Sequence, residues 1–213
     1  MENVFELKHP LIQHKISKLR DKHTGTNEFR KLVEEIAMLM GFEALSDLPL
    51  EDIEVETPIE TCKTPVIAGK TLAVVPILRA GLGMVNGILA LVPSAKVGHI
   101  GLYRDEETHE PHEYYCKLPD PINERLIVVT DPMLATGSSM ELSYQAMLTK
   151  GHPAEIHVAS IIASQHAIDH IKNVFPEDKT TIWCAAIDPE INEHSYIVPG
   201  LGDAGDLAYG EKE

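Results

Sequence analysis

The feature that most constrains the fold is an alternation of aliphatic runs with amphipathic segments over residues 71–187. The aliphatic runs have the length of buried strands, and they are residues 71–78, 97–102, 126–129, 156–163 and 182–187. Between most of them the apolar residues recur at helical spacing, as over residues 84–92 and 168–174. This order predicts an α/β fold, a mainly parallel sheet flanked by helices. Ligands of such sheets bind beyond the carboxyl ends of the strands.

The segments outside this alternation have weaker patterns. The first forty residues have helical spacing and predict a helical arm over residues 1–48. Residues 51–61 alternate like an edge strand, a position that tolerates Pro58. Residues 103–124 are polar and long for a connection, so they predict either a hairpin flap or a mobile lid. The glycine-rich tail PGLGDAGDLAYG predicts no regular element.

The charge balance narrows the classes of partner. A net charge of −15 predicts no binding to nucleic acid or to an anionic membrane surface. Residues 1–31 nevertheless carry seven bases against four acids. A solvated arm explains this excess best, and an arm that docks on an acidic partner subunit is the alternative. Three widely spaced cysteines, no signal-like start and no membrane-length apolar run predict a cytoplasmic protein.

The segment DPMLATGSS, from Asp131 to Ser139, has the chemistry of an anion site. It follows a predicted buried strand and begins a predicted helix, whose first N–H groups are free to bind an anion. Gly137 lets the backbone approach a ligand, and Thr136 and Ser138 add hydroxyls beside that of Ser139. The carboxylate of Asp131 can accept hydrogen bonds from a sugar diol. Together these groups predict a ribose 5-phosphate site, although Thr-Gly-Ser-Ser alone would favour an ordinary helix cap and only the full nonapeptide is specific.

Several separated segments carry a resemblance to a known family. The DPMLATGSS loop resembles the phosphoribosyl-pyrophosphate loop of type I phosphoribosyltransferases, in the form used by the uracil branch. The other segments that resemble this branch are KHPLIQHKISKLRD, PILRAGLGM, GLYRDEET and YIVPGLGDAGD. The resemblance covers nearly the whole chain. It implies transfer of phosphoribose from phosphoribosyl pyrophosphate to uracil, giving UMP and pyrophosphate in pyrimidine salvage, with Mg²⁺ held mainly by the donor and water.

The resemblance also implies roles for single residues. Arg79 and Arg104 would hold pyrophosphate, whereas alone they would be interpreted as a helix cap and a solvated loop residue. With Asp131, which would hold the ribose hydroxyls, they form the implied catalytic set, under a flap over residues 104–118. The implied contacts to the donor are Arg79, Arg104, Asp131, Pro132, Met133, Leu134, Ala135, Thr136, Gly137, Ser138, Ser139 and Asp203.

The C-terminal tail, residues 188–213, would form the hood over the base. The implied uracil contacts are Ile197, Gly202, Asp203 and Ala204. Asp203 would also reach the donor and its Mg²⁺ through water, and no side chain is expected to bind the metal directly. The chain departs from the family's usual pattern at residues 207–211 and at Asn86. This puts a contact at the C-terminus in doubt but leaves the core chemistry in place.

Further consequences of the resemblance concern assembly and regulation. It implies a homodimer or homotetramer and makes GTP a candidate effector. His109 with His112, and His166 with His170, have spacings found in metal sites, but two ligands are weak evidence and no metal is predicted there. A regulatory RNA-binding protein on the same scaffold would need a basic face, which this acidic chain lacks. A protein that only senses phosphoribosyl pyrophosphate or uracil remains the third alternative.

Overall fold

The computed structural model of the protein describes residues 3–69, 71–104 and 111–210. The strands are β1 (Val4–Glu6), β2 (Leu50–Glu56), β3 (Thr61–Ile67), β4 (Leu72–Leu78), β5 (Lys96–Val97), β6 (His99–Arg104), β7 (Pro111–Lys117), β8 (Leu126–Thr130), β9 (Met133–Leu134), β10 (Glu155–Ser164), β11 (Thr180–Asp188), β12 (Glu190–Ile191) and β13 (Ile197–Val198). The helices are α1 (Pro10–Leu19), α2 (Thr26–Ala44), α3 (Leu82–Leu91), α4 (Ser138–Leu148), α5 (Gln165–Val174) and α6 (Ala204–Tyr209).

The central sheet has the predicted mainly parallel topology. Its strands lie in the order β1-β11-β10-β8-β4-β6-β7, while β5 pairs with β4 and β9 with β10. Every pair is parallel except β6 with β7, which form an antiparallel hairpin. The described residues on either side of positions 105–110 thus form a hairpin, as the flap alternative predicted. The edge strand β1 was not predicted, because three residues are too short to show a strand pattern.

Aliphatic side chains form a core on each face of this sheet. On one face α1, α2 and α3 pack against alternate residues of β4 and β8, such as Val74 and Val128. On the other face α4 and α5 cover the residues between them, such as Val75 and Val129. Strands β4, β8 and β10 are buried on both faces, as expected for parallel strands between helical layers.

The N-terminal helices belong to this core instead of projecting from it. Ile12, Ile16 and Leu19 of α1 are buried, and so are Phe29 and the rest of the predicted apolar stripe of α2. The solvated arm predicted for the N-terminus is thus a pair of packed helices. Most of their basic residues remain on the exposed side.

Two sequence predictions about regular structure are wrong. Residues 51–61 do not form one edge strand of the central sheet, since β2 and β3 make a separate two-stranded hairpin. The Thr57 hydroxyl accepts hydrogen bonds from the N–H groups of Ile59 and Glu60, at 3.2 and 3.1 Å, and closes a turn that contains Pro58. The tail also contains regular structure, since α6 begins after Asp203, whose side chain caps it.

None of the helices in the described ranges is long and apolar enough to cross a membrane.

Candidate active site

The loops after β4 and β8 meet at the carboxyl edge of the sheet. Pro76 of β4 pairs in register with Thr130 of β8, so the following residues emerge side by side. The Thr130 hydroxyl donates to the carbonyl of Gly81 at 3.0 Å, and a Cβ on Gly81 would lie 2.1 Å from the Thr130 carbonyl oxygen. Only glycine allows this approach, which brings the Arg79 loop against the strand that precedes Asp131.

The backbone of the DPMLATGSS loop is fixed to strand β10. The Pro132 carbonyl accepts from the N–H of Ile162 at 3.0 Å, and the Ala135 carbonyl accepts from the Ser164 hydroxyl at 2.6 Å. Met133 and Leu134 form β9 between these two bonds, with Leu134 buried in the core. These residues can therefore offer a ligand mainly backbone groups, held rigidly by the sheet.

The loop ends at a helix N-terminus with anion-binding geometry. Gly137 is the N-cap residue of α4 with φ of 88°, and no side chain caps the helix. The hydroxyls of Thr136 and Ser138 lie 3.1 Å apart, and Ser139 follows in the first turn. N–H groups and hydroxyls at a helix N-terminus suit a phosphate, and here the Ser138 N–H donates to the Thr136 hydroxyl at 3.4 Å. The structure confirms that the segment follows a buried strand and begins a helix.

Arg79 lies next to the C-terminal tail. Its Nη2 donates to Asp206 Oδ1 at 3.3 Å and to the Gly210 carbonyl at 3.1 Å, and its side chain is 41% exposed. The Leu78–Arg79 peptide bond is cis. The guanidinium is thus accessible to a ligand and joined to α6 at the same time.

Arg104 lies at the loop end of the β6–β7 hairpin, where its backbone pairs with that of Pro111. Its side chain is outside the described part of the structure, as are residues 105–110 at the tip of the predicted flap. On the hairpin, the Tyr114 ring lies against Gly101, where a Cβ would be 2.5 Å from a ring carbon. The structure therefore places the flap strands but not the predicted pyrophosphate contact of Arg104.

The residues predicted to contact uracil lie in a tail that folds against the Arg79 loop. Ile197 and Ala204 are buried, and Gly202 has φ of 95°, which favours glycine. Asp203 Oδ1 accepts from the N–H of Asp206 at 3.0 Å.

Gly205, which follows Ala204 in the tail, makes the contact with the Arg79 loop. A Cβ on Gly205 would lie 3.9 Å from the Cβ of Ala80. The structure thus brings the tail to the loop that carries Arg79, as the prediction of one shared site requires.

One group of residues that supports this tail was missed by the sequence analysis. Arg20, at the end of α1, donates from Nη1 and Nη2 to both carboxylate oxygens of Asp188 at 2.7 Å. Arg20 also donates to the Gly200 carbonyl at 2.9 Å, and the Gly200 N–H donates to Asp188 at 2.9 Å. Because 168 positions separate Arg20 from Asp188, no local pattern could reveal the pair.

We expect the substitution Arg20→Met to destabilise the protein and weaken uracil binding. It would leave the nearly buried Asp188 carboxylate without its cation, at a cost of about 2 kcal/mol or more. Urea unfolding would measure the stability, and the KM for uracil should rise because the Gly200 carbonyl loses its hydrogen bond from Arg20. The control is Lys18→Met, an exposed residue of the same helix with the same charge change. Equal stability of the two variants would contradict a structural role for the Arg20–Asp188 pair.

The described residues contain no group of three or more His, Cys, Asp or Glu side chains that could hold a metal ion. His170 instead contacts Glu141, with 2.7 Å between Nε2 and Oε2. His109 lies outside the described residues, so the structure does not describe its pair with His112.

Comparisons with known proteins agree with this geometry. A family model described as uracil phosphoribosyltransferase matches residues 6–211. The chain is 57% identical over 211 residues to a protein named uracil phosphoribosyltransferase from Thermoanaerobacter sp. (strain X514), with 99% of each chain covered. It is 53% identical over 212 residues to the protein of that name from Clostridioides difficile (strain 630), with full coverage of both.

Solved structures extend the comparison to the fold. The AQ2163 protein from Aquifex aeolicus has a TM-score of 0.91 and 38% identity, covering 97% of this chain and 98% of that one. An adenine phosphoribosyl transferase from Trypanosoma brucei has a TM-score of 0.57 at 12% identity, covering 95% of this chain and 89% of that one, and shares the fold alone. The match of the family model and the full-length identities establish that the chain belongs to the uracil phosphoribosyltransferase family.

Proposed function

We propose that this protein transfers the phosphoribosyl group of phosphoribosyl pyrophosphate to uracil, giving UMP and pyrophosphate. The observation that carries this proposal is the meeting of three loops at one edge of the sheet. The anion loop after Asp131 contacts the Arg79 loop through Gly81 and Thr130, and the Arg79 loop contacts the tail through Ala80 and Gly205. A phosphate, a pyrophosphate and a base would thus be bound within one site.

Different protein groups would bind the two anionic ends of the donor and its ribose. The N–H groups and hydroxyls of residues 136–139 would hold the 5′-phosphate, and Asp131 would accept from the ribose hydroxyls. Arg79 and Arg104 would hold pyrophosphate through paired hydrogen bonds. Mg²⁺ would be held by pyrophosphate, ribose oxygens and water, with Asp203 reaching it through water, which suits an ion that keeps several of its waters. When bound, Mg²⁺ would supply charge neutralisation of the leaving group.

The protein would promote the reaction mainly by positioning and electrostatics. The bond from C1′ to pyrophosphate would break with its electron pair on the leaving oxygen, while N1 of uracil bonds to C1′ and gives its proton to the leaving pyrophosphate or to water. Arg79 would stabilise the negative charge that builds up on the leaving pyrophosphate. The flap over residues 104–118 would close over the donor and keep water from the electron-poor C1′.

Recognition of uracil would rest on the backbone of the tail. Uracil presents an N3–H donor between two carbonyl acceptors, and groups of Ile197, Gly202 and Ala204 would match that pattern beside Asp203. Ile197 and Ala204 are buried, so their polar backbone groups would be left unpaired by a mismatched base. Cytosine, whose donors and acceptors differ at these positions, would therefore be rejected strongly.

We further propose that the whole chain acts as one phosphoribosyltransferase domain in a cytoplasmic homodimer or homotetramer. Exposed apolar side chains on α2 and the β2–β3 hairpin support self-association, since Phe42, Leu50 and Ile59 are 69%, 63% and 91% exposed. The three cysteines are free thiols, which fits the reducing cytoplasm. GTP remains a candidate effector of this enzyme.

The test is an assay of the purified protein with labelled uracil, phosphoribosyl pyrophosphate and Mg²⁺, in parallel with cytosine, hypoxanthine and orotate. We expect UMP from uracil and at least about a hundredfold less product from the other bases. An absence of UMP under all conditions would contradict the proposal and favour a sensor. Tight, salt-sensitive binding to RNA in a filter assay would favour the regulatory alternative.

A further inference from the structure

Asp206 is hydrogen-bonded to both Arg79 and Asp203, the residues that would face the two halves of the donor. Its Oδ1 accepts from Arg79 Nη2 at 3.3 Å, and its backbone N–H donates to Asp203 Oδ1 at 3.0 Å. Arg79 is the proposed pyrophosphate ligand, while Asp203 is the proposed contact to the donor, its metal and the base. Asp206 has no role in the proposed mechanism, but it connects two residues that do.

The contact between Arg79 and Asp206 is not what attaches α6 to the protein. Ala204 and Ala208 of this helix are buried in the core, and the Ala208 carbonyl accepts from Arg30 Nη1 at 3.4 Å. Burial raises the pKa of the Tyr209 hydroxyl, while the charges of Arg30 and Arg79 lower it in part. A Cβ on Gly83 would lie 3.4 Å from this hydroxyl, so Tyr209 is packed against the start of α3.

The ion pair itself also adds little to stability. The side chains of Arg79 and Asp206 are 41% and 32% exposed, and pairs this exposed contribute little to folding. The bonds that the structure gives to Arg79 use only Nη2. The guanidinium has three nitrogens, so Nε and Nη1 lack a partner among the described residues and are available to a ligand.

We propose that Asp206 is a positioning residue that holds Arg79 and Asp203 in one arrangement and thereby aligns the pyrophosphate half of the site with the uracil half. It fixes Arg79 through one nitrogen, so that the other two can bind pyrophosphate together. It fixes Asp203 by taking part in the N-cap of α6. The position of the tail is thereby coupled to the position of Arg79. This inference rests on the proposed function, and it adds to it a residue that links the two substrates.

The experiment compares the substitutions Asp206→Ala and Asp206→Asn in the full-length protein. Asp206→Ala should lower kcat/KM for phosphoribosyl pyrophosphate roughly tenfold, because the guanidinium loses its charged acceptor and keeps only its bond to the Gly210 carbonyl. Asp206→Asn keeps an oxygen acceptor for Nη2 and should restore most of this loss. Calorimetric binding of pyrophosphate with Mg²⁺ should weaken in the same order, and the unfolding midpoint should stay close to that of the wild type.

A double-mutant cycle separates positioning from a general disturbance. On an Arg79→Gln background, Asp206→Ala should cost much less than on the wild type, since Asp206 acts through Arg79. The matched control is Glu190→Ala, which removes one exposed carboxylate of the tail and should leave kinetics and binding unchanged. Wild-type behaviour of Asp206→Ala, or equal losses with and without Arg79, would overturn the inference. The pyrophosphate binding tests it even if no UMP were formed, an outcome that would contradict the proposed function alone.

Discussion

Asp131→Asn is expected to lower kcat by about 10²–10³-fold while leaving the fold intact. The carboxylate would accept hydrogen bonds from two ribose hydroxyls and face the positive charge that builds up at C1′ in the transition state. An amide has one acceptor oxygen in place of two and carries no charge, so both contributions would fall.

The fold should tolerate this change because two local hydrogen bonds of Asp131 do not require a charge. Its N–H donates to the Ala159 carbonyl at 3.2 Å, and its Oδ1 accepts from the Met133 N–H at 3.3 Å. An asparagine oxygen can accept the second of these bonds.

Steady-state kinetics with thermal unfolding would measure the two effects separately. The matched control is Asp178→Asn, the same change at an exposed residue beyond α5. Activity of Asp131→Asn close to that of the control would refute the role assigned to this carboxylate.

Gly81→Ala should destabilise the protein by at least about 3 kcal/mol, because the new methyl group meets backbone that cannot move aside. The Cβ would lie 2.1 Å from the Thr130 carbonyl oxygen and 2.8 Å from the backbone N and O of Ile77. Relief of these contacts would require strands β4 and β8 to separate at their carboxyl ends, where the Arg79 loop meets the Asp131 loop.

Thermal unfolding should show a lower midpoint for Gly81→Ala, by roughly 6–12 °C for a chain of this size. Turnover should fall as well, since the two loops would bind opposite ends of one donor in the proposed function. The matched control is Gly25→Ala, where a Cβ would have no neighbour within 4 Å. The free energy of unfolding of this control should fall only by the amount by which a helix N-cap position prefers glycine to alanine. A similar midpoint for both variants would show that the two loops can shift without loss.

Much of the architecture could be predicted because it depends on local patterns. Strands β4, β8 and β10 are continuous aliphatic runs, and a strand buried between two helical layers requires such a run. The phosphate loop was equally visible, because a strand end, a glycine and hydroxyl residues follow one another within nine positions of the chain. The tail was misjudged where the pattern was short, since α6 is a six-residue helix among glycines.

Contacts between distant parts of the chain were decided only by the tertiary structure. The sequence by itself determined the alternation of strands and helices and the strand end, glycine and helix start around Asp131, and through resemblance it predicts the site residues. It did not reveal that Arg20 supports the tail through Asp188, or that Asp206 joins Arg79 to Asp203. A periodic pattern reports which face of an element is buried, whereas a pair more than a hundred positions apart depends on where the sheet brings its loops together.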